Sequence, residues 1–214
     1  MITIGSFLLR GFVCALFTAL ATGTALAGSH TWDVNEVFSD ATGNVQFIEL
    51  VEANGTPNET GVAGHTLSSD LKSFVIPGAA LTPPTSNKFF LIATAAFAAL
   101  PGAPTPDALI PPDRLPFFFS PSNGDTIDYQ PWDSLSFGAG VVPTDGINSL
   151  RRNLSTGANS PTNYAGVTGS VNAAPEVPSV SRGGMLVLAA CVLLIGCALG
   201  AWAYPARRSV APRV

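Results

Sequence analysis

The chain has 214 residues, with ten Lys and Arg against fourteen Asp and Glu, a formal net charge of −4. This length allows one ordinary domain of roughly 100 to 150 residues, and the acidic balance argues against nucleic acid as a partner, because phosphates have to be neutralised by clustered bases. Cys14, Cys191 and Cys197 all lie in apolar terminal stretches, so no disulfide framework is available to the part between them.

The first segment, MITIGSFLLRGFVCALFTALATGTALAGSH, has the layout of a secretory signal: a basic start at Arg10, an apolar stretch from Gly11 to Leu20, and a small-residue exit. At 1.5 Å per residue that stretch is too short to cross a bilayer core of about 30 Å. Residues 1–27 are therefore expected to be a signal peptide. Ala25 and Ala27 offer signal peptidase the small side chains its pocket admits, which predicts cleavage before Gly28.

The residues after Gly28 alternate between short apolar runs and turn formers, a pattern of strands rather than helices. TWDVNEVFSD and VQFIELVEA, separated by Asp40-Ala41-Thr42-Gly43-Asn44, predict a β-hairpin. Gly64 to Leu67, Ser73 to Ile76 and Lys88 to Ala93 predict three more strands. Thr94 to Leu100 is the helical candidate, stopped by Pro101, and an irregular Pro-rich loop follows to Pro112. Pro116 to Ser120 and Thr126 to Tyr129 predict strands on either side of the Asn123-Gly124-Asp125 turn, with Ser134 to Phe137 and Ser149 to Arg151 completing about eight. Strands at this spacing point to an all-β sandwich. Asn153 to Glu176 has almost no apolar run, and its end reads as a linker.

Residues 185–204, MLVLAACVLLIGCALGAWAY, are uncharged over the length of a transmembrane helix. Trp202 and Tyr204 suit the headgroup level, and Arg207, Arg208 and Arg213 mark residues 205–214 as a basic cytoplasmic tail. The predicted protein is thus a single-pass membrane protein with its ectodomain exported, periplasmic or on the cell surface. The exported part holds Lys72, Lys88, Arg114, Arg151, Arg152 and Arg182 against all fourteen acids, a formal charge of −8. Arg151-Arg152 reads as a solvated strand end rather than a phosphate site.

No catalytic constellation is legible. His30 and His65 are the only imidazoles, and there is no G-x-S-x-G, H-E-x-x-H, P-loop or exported cysteine, so neither an enzyme nor a cofactor is expected. Asp125, Asp128 and Asp133 supply the oxygen ligands that calcium prefers, although Asp at turns more often caps the backbone. These three are the candidate metal residues. The formal glycosylation sites at Asn54, Asn58 and Asn153 lie in polar loops.

Read in order, Asn35-Glu36-Val37, Phe47-Ile48-Glu49-Leu50, Gly64 to Leu67, Ser122-Asn123-Gly124-Asp125 and Gly146 to Arg151 form a series that resembles bacterial members of the lamin-tail domain family. The resemblance covers about residues 32 to 166 and implies an immunoglobulin-like β-sandwich over 28–166. His65 departs from the family's usual aromatic, and Ile147-Asn148 makes the last motif one residue longer. Phe47, Ile48 and Leu50 are then expected on a central strand, with Glu49 facing solvent or bonding a neighbouring loop. Asn35 and Glu36 would close loops, and Gly124 would supply a positive φ.

Val177, Pro178, Ser179, Val180, Ser181, Gly183 and Gly184, followed by an apolar helix and arginines, resemble a tripartite sorting signal of the IPTL-CTERM type of Gram-negative bacteria. Residues 167–184 are read as linker and sorting motif. The resemblance implies a membrane-embedded sorting protease as partner; a permanent anchor with a Pro-Ser stalk is the alternative. The functional expectation is a non-catalytic adhesive or scaffolding surface protein whose partner is a surface protein or glycan. The alternative is a calcium-dependent or carbohydrate-binding module, suggested by the aspartates near Tyr129 and Trp132.

Overall fold

A computed structural model of the protein describes residues 28–175. The signal segment 1–27, the sorting motif 177–184, the apolar stretch 185–204 and the basic tail 205–214 lie outside the described residues. Among the described residues no helix is long and apolar enough to cross a membrane.

The fold is built from ten strands in two sheets that face each other, sandwich fashion. The larger sheet contains β1 (Trp32–Ser39), β2 (Gln46–Glu52), β5 (Phe89–Ala93), β6 (Ala108–Leu109), β9 (Asn148–Arg151) and β10 (Thr156–Ala158), in the order β10-β9-β1-β2-β5-β6. The smaller contains β3 (Thr66–Ser68), β4 (Ser73–Val75), β7 (Gly124–Gln130) and β8 (Asp133–Gly138), in the order β4-β3-β7-β8. All pairings are antiparallel except that of β5 with β6. The expected β1–β2 hairpin is present, and β2 lies at the centre of the larger sheet between β1 and β5.

Between the sheets Trp32, Val34, Val37, Ile48, Leu50, Phe90, Ile92 and Leu150 meet Leu67, Phe74, Ile127, Tyr129, Leu135 and Phe137 in one core. Strict alternation would not send Trp32, Val34 and Val37 to the same face, since strand side chains alternate with period two. A bulge between Val34 and Glu36 shifts the register by one residue, so Val37 turns inward and Glu36 and Phe38 turn outward.

Apolar residues also line the outer face of the larger sheet. Phe38, Phe47, Leu91 and Ala93 pack there against Phe97 of α1 (Ala95–Ala98) and against Val171. Phe38 stacks on Phe47 with ring centroids 5.4 Å apart, and Phe47 meets Phe97 edge-on at 5.3 Å; such pairs are worth about 0.5–1.5 kcal/mol each beyond their buried area. Helix α1 is a single turn, shorter than the sequence suggests, capped by Thr94 Oγ1 accepting from Phe97 N–H at 3.1 Å.

Four sequence expectations need correction. Pro116 to Ser120 is not a strand. Phe117 adopts φ 56°, a conformation unusual for a bulky residue; its N–H donates to Gly43 C=O at 2.9 Å, and the rest of the segment finds side-chain partners: Phe118 N–H donates to Gln46 Oε1 at 2.7 Å and Phe119 C=O accepts from Gln46 Nε2 at 3.0 Å. The Pro-rich loop after Pro101 contains β6, and the polar stretch after Asn153 contains β10. The linker does not begin at residue 167. Val171 is buried in the outer cluster, Gly169 N–H donates to Pro161 C=O and Ala173 N–H to Gly146 C=O, so residues 167–174 belong to the packed domain.

This boundary is testable by chemical denaturation. Val171→Ala should cost about 1.5–3 kcal/mol, the range for losing a buried aliphatic side chain, and stopping the domain at residue 166 should cost more. A truncated domain as stable as the full one would return these residues to the linker.

Candidate functional site

Two regions could carry chemistry: the acids buried in the larger sheet and the open face of the smaller one.

Glu36 and Glu49 stand directly opposite each other on β1 and β2, and both are buried, at 0% and 1% exposure. Like charges in cross-strand register repel, so each needs compensation. Glu36 receives it from Arg151 Nη1 at 3.0 Å, from the Ser149 hydroxyl at 2.6 Å, and from the N–H and hydroxyl of Ser160 at 2.9 and 3.1 Å. Glu49 accepts from Asn35 Nδ2 at 2.7 Å and from Thr162 N–H at 2.6 Å, with no cation of its own. Burial pushes the Glu49 carboxyl up to about 7, against the pull of those two hydrogen bonds.

A carboxylate pair with one acid held protonated near neutrality is the pattern of general acid–base catalysis. Here the two acids lie under Ser160 and Thr162, whose backbone N–H groups they hold, and their chemistry is directed to the protein's own loop. Of the two expectations for Glu49, the structure selects bonding to a neighbouring loop. Asn35 and Glu36 take the loop-closing places expected of them.

The three aspartates considered as metal ligands do not converge. Asp125 and Asp128 are three residues apart on β7, an odd spacing that sends them to opposite faces: Asp125 is buried and Asp128 points outward. Asp125 accepts from the N–H groups of Asp70 at 2.7 Å, Thr126 at 2.8 Å and Ser120 at 2.8 Å. Asp133 accepts from Val34 N–H at 2.7 Å and grips the Arg152 guanidinium with both oxygens, each at 2.7 Å. Among the described residues no group of three or more His, Cys, Asp or Glu is arranged to hold a metal ion. Arg151 and Arg152 are both engaged by carboxylates, Arg152 tying β8 to the β1 bulge.

The outer face of the smaller sheet is different in kind. Thr66, Ser68, Ser73 and Val75 on β3 and β4, Thr126, Asp128 and Gln130 on β7, and Ser134 and Ser136 on β8 share it by register. Its side chains are short and mostly hydroxyl or amide. Cross-strand hydrogen bonds between the Thr126 and Ser136 hydroxyls at 3.0 Å and from Gln130 Nε2 to Ser68 Oγ at 3.0 Å hold them flat. One end opens into a depression of about 380 Å³ lined by Asp70, Asn123, Thr126 and Ser136. Gly124 has the expected positive φ, 78°, and a Cβ there would meet Phe137 C=O at 2.8 Å.

Near the other end Trp132, 46% exposed, lies in the β7–β8 turn. His65 and His30 approach its ring with centroids 6.2 and 5.8 Å away. Trp132 Nε1 donates to Ser29 Oγ at 3.1 Å, and Ser29 Oγ meets His65 Nε2 at 2.6 Å. A serine bonded to an imidazole is the beginning of a nucleophilic pair, but that chemistry also needs an orienting group and room for substrate. Ser29 is only 3% exposed, and its oxygen already accepts from the indole. Nothing in the sequence pairs the two histidines, and Ser29, which joins His65 to Trp132, carries no local motif. No protein-family model, characterised protein or solved structure matches the chain.

Ionisation of Glu49 gives a prediction. Well below pH 4.5 the group is protonated in both folded and unfolded chains; as pH rises from about 4.5 toward 7 the unfolded carboxyl ionises while the folded one resists, so stability is lost over that window and levels off above it. Urea melts at pH 4.5, 6 and 8 should show the wild type losing roughly 1–3 kcal/mol relative to Glu49→Gln across that range. A difference independent of pH would contradict the assignment. Glu52 works in the opposite sense: burial raises it, but hydrogen bonds from Thr56, Asn87 and Thr31 outweigh that and hold it down at about 2. Its contribution is therefore lost only as pH falls from about 4.5 toward 2.

Proposed function

We propose that this chain is an exported, non-catalytic surface protein, a lamin-tail-like sandwich of the immunoglobulin type that makes adhesive or scaffolding contacts through the outer face of its smaller sheet. The observation that carries the reading is the difference between the two sheets. The larger is covered on both faces, and its buried acids are committed to internal loops. The smaller presents a flat field of hydroxyls and amides with Asp128 near its centre and Trp132 toward one end, chemistry suited to many weak polar contacts with a protein or glycan.

The motif order from Asn35 to Arg151 supports the family reading, and the terminal segments support its placement. In this reading residues 1–27 direct export, 185–204 hold the chain in the membrane, and the Val177 to Gly184 motif addresses it to a sorting protease. The mass of the protein recovered from cells tests that processing: loss of residues 1–27 leaves an anchored protein, and a second cut near Val177 to Gly184 marks tail processing.

A carbohydrate-binding module is the second reading, favoured by exposed Trp132 beside His30, since an indole face stacks on sugar rings. The two separate by experiment. Thr126→Arg and Ser136→Arg, each on the open face, should leave the melting temperature within about 2 °C, as expected for surface changes, while reducing adhesion of cells displaying the full chain several-fold. Adhesion unchanged by both substitutions contradicts the first reading. Calorimetry with calcium and a glycan panel decides the second, which requires binding that Trp132→Ala removes.

A further inference from the structure

Glu59 is a buried carboxylate with one oxygen, Oε1, to which no described residue donates. Its backbone is fixed on both sides: Glu59 N–H donates to Thr85 Oγ1 at 3.0 Å, and Glu59 C=O accepts from Trp32 Nε1 at 2.8 Å. Oε2 accepts from His30 N–H at 2.9 Å and lies 3.4 Å from His30 Nδ1. Oε1 accepts no hydrogen bond among the described residues. The Glu59 side chain is 8% exposed while the His30 ring is 58% exposed, so the side-chain base paired with it among the described residues is one that solvent screens. A buried carboxylate left short of donors is costly.

Gly28 lies against this carboxylate. Its carbonyl accepts from Gly61 N–H at 2.9 Å, which docks the residue on the domain. A Cβ built on Gly28 would fall 2.5 Å from Glu59 Oε1 and 2.8 Å from Oε2. Those separations, with the carboxyl carbon also at 2.8 Å, are a clash for carbon; a nitrogen in the same direction reaches the roughly 2.7–2.9 Å of a charge-assisted hydrogen bond once the two groups give by a few tenths of an ångström. The N–Cα bond is close in length to Cα–Cβ. A free amino terminus can rotate about the Gly28 Cα–C bond into that direction; a nitrogen still joined to residue 27 has to carry the preceding chain with it.

The geometry points to Glu59 as the receptor for the α-ammonium group that cleavage before Gly28 creates. Removal of the signal peptide then does more than release the chain: it supplies the cation that the buried carboxylate lacks and ties the first strand's approach to the Glu59 loop. The tie lies next to Ser29 and His30, so it also fixes the corner around Trp132. This inference rests on the export reading, specifically on cleavage between Ala27 and Gly28.

Four forms of the full chain test it in one detergent: cleaved and cleavage-blocked (Ala27→Leu), each with and without Glu59→Gln. E59Q should lower the melting temperature by about 3 °C more in the cleaved pair than in the blocked pair, the scale of a partly buried ion pair in a domain of this size. Acylation of the Gly28 amine by a succinimidyl ester, followed by mass spectrometry, should be several-fold faster in cleaved E59Q than in the cleaved wild type. Inserting one glycine between Ala27 and Gly28 moves the amine away from the carboxylate without touching Glu59, and should reproduce both effects even where E59Q folds poorly. A mature mass that begins at a residue other than Gly28 overturns the export boundary and this pairing together. A mature Gly28 with equal losses in the two pairs, and an amine whose reactivity neither change alters, overturns the pairing alone.

Discussion

The bond on which this domain depends is that between a side-chain carboxylate and a backbone N–H of a distant loop. A carboxylate accepts at two oxygens and about four lone-pair positions, so one acid can gather donors from several segments. Glu36 joins β1 to β9 and Ser160, Glu49 joins β2 to Thr162, and Asp133 joins β8 to the N–H of Val34. Asp107 accepts from the N–H groups of Leu91 and Tyr164 at 2.8 and 2.9 Å, and Asp125 from Asp70 and Ser120. Hydrogen bonds to charged groups contribute about 1.5–3 kcal/mol each, enough to replace part of what disulfides supply in disulfide-bonded domains. The cost is burial of charge, which is why Arg151 and Arg152 lie on Glu36 and Asp133 and why Glu49, with no base, stays protonated until near neutrality.

This use of acids changes what the acidic composition means. Six of the acids, Glu36, Asp40, Glu49, Glu52, Glu59 and Asp125, are buried, so much of the negative charge lies inside the domain. It also explains the difference between the two sheets. The segment from Asn153 to Ala174 is held over the larger sheet by Glu36 and Glu49 and by Asn159, whose side chain brackets Val171 with bonds to its N–H and C=O at 2.8 Å each. Among the described residues no comparable segment lies over Thr126, Asp128 and Ser136.

The strands that could be read from the sequence are those whose side chains alternate between core and solvent, such as Asp125 to Gln130 in β7, or that carry an unbroken apolar run, as in β5. The rest is hidden for definite reasons. Strand β6 is two residues long and β10 is Thr156-Gly157-Ala158, too short and too small for periodicity to register. The Phe117-Phe118-Phe119 run has strand composition, but its hydrogen bonds go to the Gly43 carbonyl and to the side chains of Gln46 and Ser69 rather than to a neighbouring strand. Residues 167–174 read as linker because hydrogen bonding rather than apolar content holds them, with Val171 as their one buried anchor. The site was legible at the level of single residues, in the roles of Asn35, Glu36 and Gly124, and not as a surface. The face formed by Thr66, Thr126 and Ser136 exists only through strand register, and the Ser29–His65–Trp132 contact joins residues 36 and 103 positions from Ser29.

Amide hydrogen exchange of the wild-type domain, followed residue by residue, addresses the carboxylate account most directly. The N–H groups of Ser160, Thr162, Tyr164, Asp70 and Ser120 lie in loops, and each donates to a carboxylate. Their protection should approach that of the strand amides in β1 and β2, because opening them requires breaking a hydrogen bond to an acid side chain, buried for Glu36, Glu49 and Asp125. Exchange at the rate of free loops, with the strands still protected, would show that the acids do not hold the loops and would contradict the account.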